Sequence, residues 1–287
     1  MESEDFAIDV VAELLEARTG QKLTSNRRWR IGTALAGLFR TRGITSIEQL
    51  VVQLTQPGQA ALAQEVVEAL LNNETYFFRD RAMYDHLSQR ILPDLADRRK
   101  DTKKLSIWSV GCSTGQEALS LAMLIAEAKA RWQDWTIDIL GTDVSSAVID
   151  TARMGRYTHF EVQRGLGVSQ MLNFFEETAQ GWQASDTLLR MTRYERHNLL
   201  DSPPNPGTFD VILCRNVLLY FDVVTREQAF EQLASAMADD AYLMLGAGET
   251  VVGQTGKLVP CPDNSGFYRR AEAVAAARSN KSAAAAR

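Results

Sequence analysis

Cysteine and histidine are scarce in this 287-residue chain, three of each and all widely separated. Disulfide frameworks and Cys/His metal sites need such residues at close, regular spacings, so neither is expected. No apolar run is long enough to span a membrane. The opening MESEDFAIDVV is acidic where a secretory signal would be basic, so a cytoplasmic location without membrane insertion is expected. The G-x-S-x-G turn that carries a serine nucleophile is absent. So is the D/N-P-P-Y pattern of enzymes that methylate amines of nucleic acids. With a net charge of −5, attraction of the whole molecule to nucleic acid is not expected.

What is present has the composition of an ordinary globular protein, 45% hydrophobic and 23% charged. The chain changes character part-way. Residues 1–71 read as a helical domain, with apolar residues at helical spacing in DFAIDVVAELLEART and in SNRRWRIGTALAGLFRTRG. The second of these helices is expected to start at a Ser25/Asn26 cap and to stop at Gly43. Residues 72–104 form a linking segment and a helix irregular at Pro93. From residue 105 to 272, strands alternate with helices, the pattern of a parallel sheet covered on both faces. A closing strand pair is expected near Leu258–Val259 and Phe267–Tyr268. About forty residues, 156–196, interrupt the alternation and are expected to form a small inserted subdomain. The Ala-rich stretch 273–287 is expected to be disordered. Between Arg18 and Thr45 there are seven basic residues, among them Arg27, Arg28 and Arg30, and no acid. Such a run is either a solvated helix face or a docking face for an acidic partner.

Several stretches carry chemistry. In SVGCSTGQEALS, Gly111 and Gly115 bracket a tight turn between a strand and a helix, which lets a ligand approach free backbone N–H groups. The spacing differs from that of dinucleotide folds, and no Lys-Ser/Thr follows to hold phosphates. Glu117, in the first helical turn, suits a cation better than a phosphate. Asp143 ends the next strand, where an acid can accept bonds from ribose hydroxyls or cap the following helix. In FDVILCRNVLLYFD, Arg215 and Asn216 stand at the carboxyl end of a central strand, where ligands bind in such sheets. Asn198 and Leu199, in ERHNLL, could offer an amide and an apolar face to a purine. NNETYFFRD places three aromatics and Arg79 in what should be a polar connector.

Taken together and in this order, NNETYFFRD, WSVGCSTGQEALS, GTDVSS, HNLL and FDVILCRNVLLYFD resemble the CheR family of chemotaxis receptor methyltransferases. The resemblance implies a Rossmann-like class I methyltransferase sheet with an N-terminal helical domain and a small inserted subdomain. It implies S-adenosylmethionine as cofactor, held by Asn73, Thr75, Arg79, Glu117, Asp143, Asn198, Leu199, Arg215 and Asn216. Tyr76, Phe77 and Phe78 would then wall the pocket. The implied reaction is methylation of the γ-carboxylate of chemoreceptor glutamates, with Arg79 orienting the acceptor and Tyr220 helping to place it. The implied partner is the helical, Glu-rich methylation region of the receptors, docked on Arg27, Arg28 and Arg30, with the enzyme a monomer. This sequence departs from many members at Gln116, where they carry a second acid. Its insertion is short between Phe175 and Asn198, which suggests independence from a receptor tethering peptide. The alternative is a non-catalytic module that binds the cofactor or its demethylated product and docks on a chemosensory partner.

Overall fold

The computed structural model describes residues 2–24, 27–205 and 207–276. The expected Ser25/Asn26 cap and most of the Ala-rich tail lie outside them. The chain divides into two compact units, one running to Asn72 and taking in Tyr220–Thr225, the other formed by the rest.

The first unit is helical: α1 (Glu2–Thr19), α2 (Arg30–Arg42), α3 (Ile47–Leu54) and α4 (Ala60–Leu70). Each helix contributes a stripe to one core. Val11 comes from α1, Ile31, Leu35 and Leu38 from α2, Leu50 from α3, and Leu62 and Val66 from α4. The i, i+4 spacing on α2 puts these apolar residues on one face and its arginines elsewhere. Gly43, at φ +66°, ends α2 in the left-handed conformation that glycine adopts without strain. The Ser46 hydroxyl caps α3 by accepting from the Gln49 amide at 3.2 Å. The Tyr220–Thr225 segment joins this unit through the Lys22 amide, which donates to the Tyr220 carbonyl at 2.8 Å. An ion pair, Lys22 Nζ to Asp222 Oδ2 at 2.9 Å, adds to it.

The second unit begins with α5 (Arg81–His86), a π turn at Leu87–Ile91 and α6 (Leu92–Arg98). The irregularity expected at Pro93 takes the form of this wide turn just before it. Proline has no N–H to continue the helical ladder, and the Leu92 N–H reaches back to the Leu87 carbonyl instead. In chain order there follow β1 (Lys104–Val110), α7 (Gln116–Glu127), β2 (Thr136–Asp143), α8 (Ser146–Met154), β3 (Arg156–Tyr157), α9 (His159–Gln163), α10 (Val168–Phe174), β4 (Phe175–Thr178), β5 (Gly181–Ala184), α11 (Asp186–Leu189), β6 (Thr192–Arg196), β7 (Phe209–Cys214), α12 (Val223–Ala236), β8 (Met237–Leu245), β9 (Leu258–Pro260) and β10 (Phe267–Arg270).

The main sheet has the order β6-β2-β1-β7-β8-β10-β9. Its strands from β6 to β8 pair in parallel, and β10 runs antiparallel to β8 and β9. This is the α/β sheet expected from the alternation, including the closing strand pair. The strand order reverses between β1 and β7, so the crevice outside their carboxyl ends is the place where such sheets bind ligands. Trp108 fills the middle, fully buried, stacked on Phe209 at 5.3 Å, its Nε1 donating to Thr142 Oγ1 at 2.9 Å. The insertion forms a small antiparallel sheet, β3-β5-β4. Its last five residues behave otherwise, because β6 pairs in parallel with β2 as the edge of the main sheet.

Candidate active site

The turn after β1 is built by conformation as much as by side chains. Gly111, Ser113 and Gly115 all have positive φ, at 66°, 49° and 96°. A Cβ at Gly111 would lie 2.5 Å from Val217 Cγ2, so any side chain there would have to push Val217 aside as well as adopt a left-handed backbone. Asp143, at the end of β2, holds this turn: its Oδ2 accepts from the Ser113 amide at 2.9 Å and its Oδ1 from the Ser145 amide at 3.0 Å. The cap of α8 itself is Ser145.

The NNETYFFRD segment from Asn73 onwards belongs to this unit. The Asn73 carbonyl accepts from Ser113 Oγ at 2.7 Å, which ties the segment to the glycine turn. The Phe78 amide donates to Ser120 Oγ of α7 at 3.0 Å. Phe77, fully buried, meets Tyr157 and Phe175 edge-on at 5.1 and 5.5 Å, and Phe78 meets Tyr84 at 5.3 Å. The two phenylalanines are therefore core anchors. Tyr76 and Arg79 stay half-buried beside them, with the Arg79 guanidinium 5.5 Å from the Tyr76 ring centre and donating to the Glu74 carbonyl at 3.3 Å. Thr75 is also half-buried.

Arg215 is almost wholly enclosed, its side chain 2% exposed. It donates to Glu117 Oε2 at 3.1 Å, to Asp80 Oδ2 at 2.6 Å and to the Arg79 carbonyl at 2.7 Å. Glu117 accepts a further bond from Ser109 at 2.8 Å. Burial pushes the Glu117 carboxyl above the usual carboxylate range, and Arg215 pulls it part of the way back. This buried chain of charges links α7, the end of β7 and the Asn73–Asp80 segment. Asn216 follows at φ +59°. Among the described residues its Oδ1 is buried without a hydrogen-bond partner, an acceptor left for a ligand's donor.

Sequence reasoning missed Glu249. Its Oε2 accepts from the amides of Asn216 at 2.8 Å and Gly246 at 2.9 Å, and its Oε1 from those of Leu218 at 2.9 Å and Leu219 at 3.3 Å. One carboxylate thus shapes the loop after β7 that carries Asn216. The available signal was an acid shortly after a buried strand, in GAGET. Asn198 turns the chain after β6, its Oδ1 accepting from the Leu200 amide at 3.1 Å, and Leu199 is buried.

The residues singled out in the sequence fall into two groups. Asn73, Thr75, Arg79, Glu117, Asp143, Asn198, Leu199, Arg215 and Asn216 all lie in the sheet unit. Tyr220, Arg27, Arg28 and Arg30 lie in the helical unit. The Tyr220 hydroxyl accepts from Asn72 Nδ2 at 2.7 Å, and the Arg27 guanidinium lies over its ring at 4.9 Å. Arg28 pairs with Asp9, and Arg30 is exposed.

The family model "CheR methyltransferase, SAM binding domain" matches residues 73–267. The chain belongs to the CheR methyltransferase family. It is 31% identical to a chemotaxis protein methyltransferase of Vibrio anguillarum, over 89% of this chain and 93% of that one. It is 33% identical to chemotaxis protein methyltransferase 1 of Pseudomonas aeruginosa, over 83% and 87%. A solved SAM-dependent methyltransferase from Methanosarcina mazei matches half of this chain and 52% of its own, at 16% identity and a TM-score of 0.32, too low to bear on the fold. The cofactor of this CheR-family methyltransferase is S-adenosylmethionine. The candidate residues suit that molecule: a turn of positive-φ residues at the carboxyl end of β1, an acid at the end of the neighbouring strand, and a spare buried amide oxygen. Among the described residues no helix is long and apolar enough to cross a membrane.

Proposed function

We propose that this chain methylates the γ-carboxylate of glutamates in the helical methylation region of chemoreceptors, giving methyl esters. The observation that supports the reading is the bond from Ser113 Oγ of the glycine turn to the Asn73 carbonyl, in the same short segment that carries the half-buried Arg79. A guanidinium matches a carboxylate in shape and charge. Bound S-adenosylmethionine supplies an activated methyl group on its sulfonium.

The protein needs no base for this chemistry. A glutamate with a pKa near ~4.3 is already ionised at neutral pH. The cysteines nearest the site, Cys112 and Cys214, are buried and their thiols pushed far up by desolvation, so neither is a nucleophile. What remains for the protein is alignment and exclusion of water. Arg79 orients the acceptor carboxylate, and the Tyr220 hydroxyl helps to place it. Asn73, Thr75, Glu117, Asp143, Asn198, Leu199, Arg215 and Asn216 hold the cofactor directly or shape its cradle. Asp143 takes the ribose, the Asn216 Oδ1 takes the ammonium, and Asn198 with Leu199 takes the adenine. Arg27, Arg28 and Arg30 face the acidic receptor bundle, and the protein acts in the cytoplasm as a monomer.

The test is transfer of radiolabelled methyl to cytoplasmic receptor fragments, followed by mild alkali. Release of the label as methanol is the expected result, because it marks an ester. Label that survives alkali would give the wrong acceptor class. No label, with cofactor binding demonstrated, would favour a non-catalytic docking module.

A further inference from the structure

Arg164, in the inserted segment just after α9, touches the Asn73–Asp80 segment at two points. Its guanidinium lies 4.3 Å from the centre of the Tyr76 ring, and its Nη2 is 2.5 Å from Glu74 Oε1. That ion pair holds the Glu74 carboxyl below the usual carboxylate range. Arg79 uses the same two residues, with its guanidinium 5.5 Å from the Tyr76 ring centre and a bond to the Glu74 carbonyl. The next residue seals the contact. Gly165 sits at φ +101°, and a Cβ there would come within 1.9 Å of the Phe77 carbonyl oxygen. Backbone is therefore pressed on backbone beside the two arginines.

Stability does not explain this arrangement well. The Arg164 and Glu74 side chains are 40% and 54% exposed, and exposed ion pairs stabilise little. Geometry explains it better. The Arg79 guanidinium rests on the Tyr76 ring and the Glu74 carbonyl, and Arg164 holds that same ring and the Glu74 carboxylate. We propose that Arg164 is a positioning residue for methyl transfer, setting the aim of the Arg79 guanidinium through Tyr76 and Glu74. The inference rests on the reading of Arg79 as the group that orients the acceptor carboxylate.

The test uses Arg164→Ala and Arg164→Lys in the full chain, with three readouts. In Arg164→Ala, kcat for receptor methylation should fall about tenfold or more, as small misplacements of a catalytic group do. Calorimetric affinity for S-adenosylhomocysteine should stay within about twofold, because Arg164 acts on the acceptor side. Amide hydrogen exchange across residues 74–79 should accelerate, while β1 and β7 keep their protection. Arg164→Lys retains a cation for Glu74 and Tyr76 and should recover much of the rate.

Wild-type kcat in Arg164→Ala, or unchanged exchange at 74–79, would overturn the proposal. So would a parallel loss of cofactor affinity and fold, which would make Arg164 merely structural. A wild-type chain that labels no carboxylate would refute the proposed function instead. The exchange readout would still decide whether Arg164 holds the segment.

Discussion

Replacing Arg215 by methionine keeps a long side chain and removes the guanidinium paired with a buried acid, Glu117. Glu117 would then keep its bond from Ser109 but lose the guanidinium, with its carboxyl already pushed up by burial. Breaking a buried ion pair by deleting one partner costs about 3–5 kcal/mol. The 2% exposure of the Arg215 side chain puts this pair in that class rather than among surface pairs. With an m value of about 2–3 kcal/mol/M, the urea midpoint should fall by about 1–2.5 M. The loss should also depend on pH, with a definite sign. The Glu117 carboxyl titrates higher in the folded chain than in the unfolded one. Its contribution is therefore fully present below the unfolded pKa and is lost as pH rises through the folded value. Removing the guanidinium raises the folded value further. Arg215→Met should accordingly be much closer to wild type at pH 5 than at pH 8, and Glu117→Gln in the same chain should recover most of the difference. Urea titrations at both pH values check this. An equal deficit at both, or one below about 1 kcal/mol, would show that the Glu117–Arg215 pair is not the coupled unit described above.

Glu249→Gln puts an N–H₂ where one oxygen served two backbone amides, those of Asn216 and Gly246 or those of Leu218 and Leu219, each of which costs about 1–3 kcal/mol to leave unpaired. Cofactor affinity measured by calorimetry should drop at least about tenfold, and a value within about twofold of wild type would refute a role for this carboxylate in shaping the Asn216 loop. Gly111→Ala should destabilise by about 1–3 kcal/mol of overpacking against Val217, plus the left-handed strain. The Gly111→Ala/Val217→Ala pair should regain the packing part, and additive losses in thermal unfolding would count against the close approach. Receptor methylation should weaken steeply between low and physiological salt while cofactor binding changes little, because the proposed docking arginines, Arg27, Arg28 and Arg30, are half-buried or exposed and the Arg215–Glu117 pair is buried. Arg79→Ala should abolish most turnover without unfolding the chain, whereas full activity in Arg79→Ala, or in Tyr220→Phe, would remove that residue's assigned role.

The legible parts of the fold were those whose signals are local. Glycines on either side of a strand-to-helix turn, Gly43 at a helix end and Ser46 at a helix start each act within a few residues, so their patterns survive in sequence. The edge strand β6 was harder to see because an edge exposes much of its surface. TRYER buries only Tyr194 fully and shows no clean alternation. The π turn was hidden because Pro93 signals a break but not the geometry that absorbs it. The site was legible as a set of residue types, since Arg-Asn after an apolar strand and an acid after the next strand stand out. Its wiring was not. That Arg215 reaches back to Asp80 and Glu117, and that Glu249 gathers four amides, depends on side chains brought together from far apart in the chain.

The helical unit is discontinuous, since Tyr220–Thr225 folds with residues before Asn73 although it lies between β7 and α12. The two units therefore cannot be exchanged as cassettes. A cut at residue 72 would strand six residues in the middle of the sheet unit, without the Lys22 amide and ammonium that hold Tyr220 and Asp222. Joining the helical unit to another sheet at that boundary would leave the same six residues behind. The segment that returns to it leaves β7 only a few residues beyond Asn216. Any change that reshapes the helical unit therefore acts on a chain tied, within one short loop, to Asn216 and to the turn that Glu249 gathers.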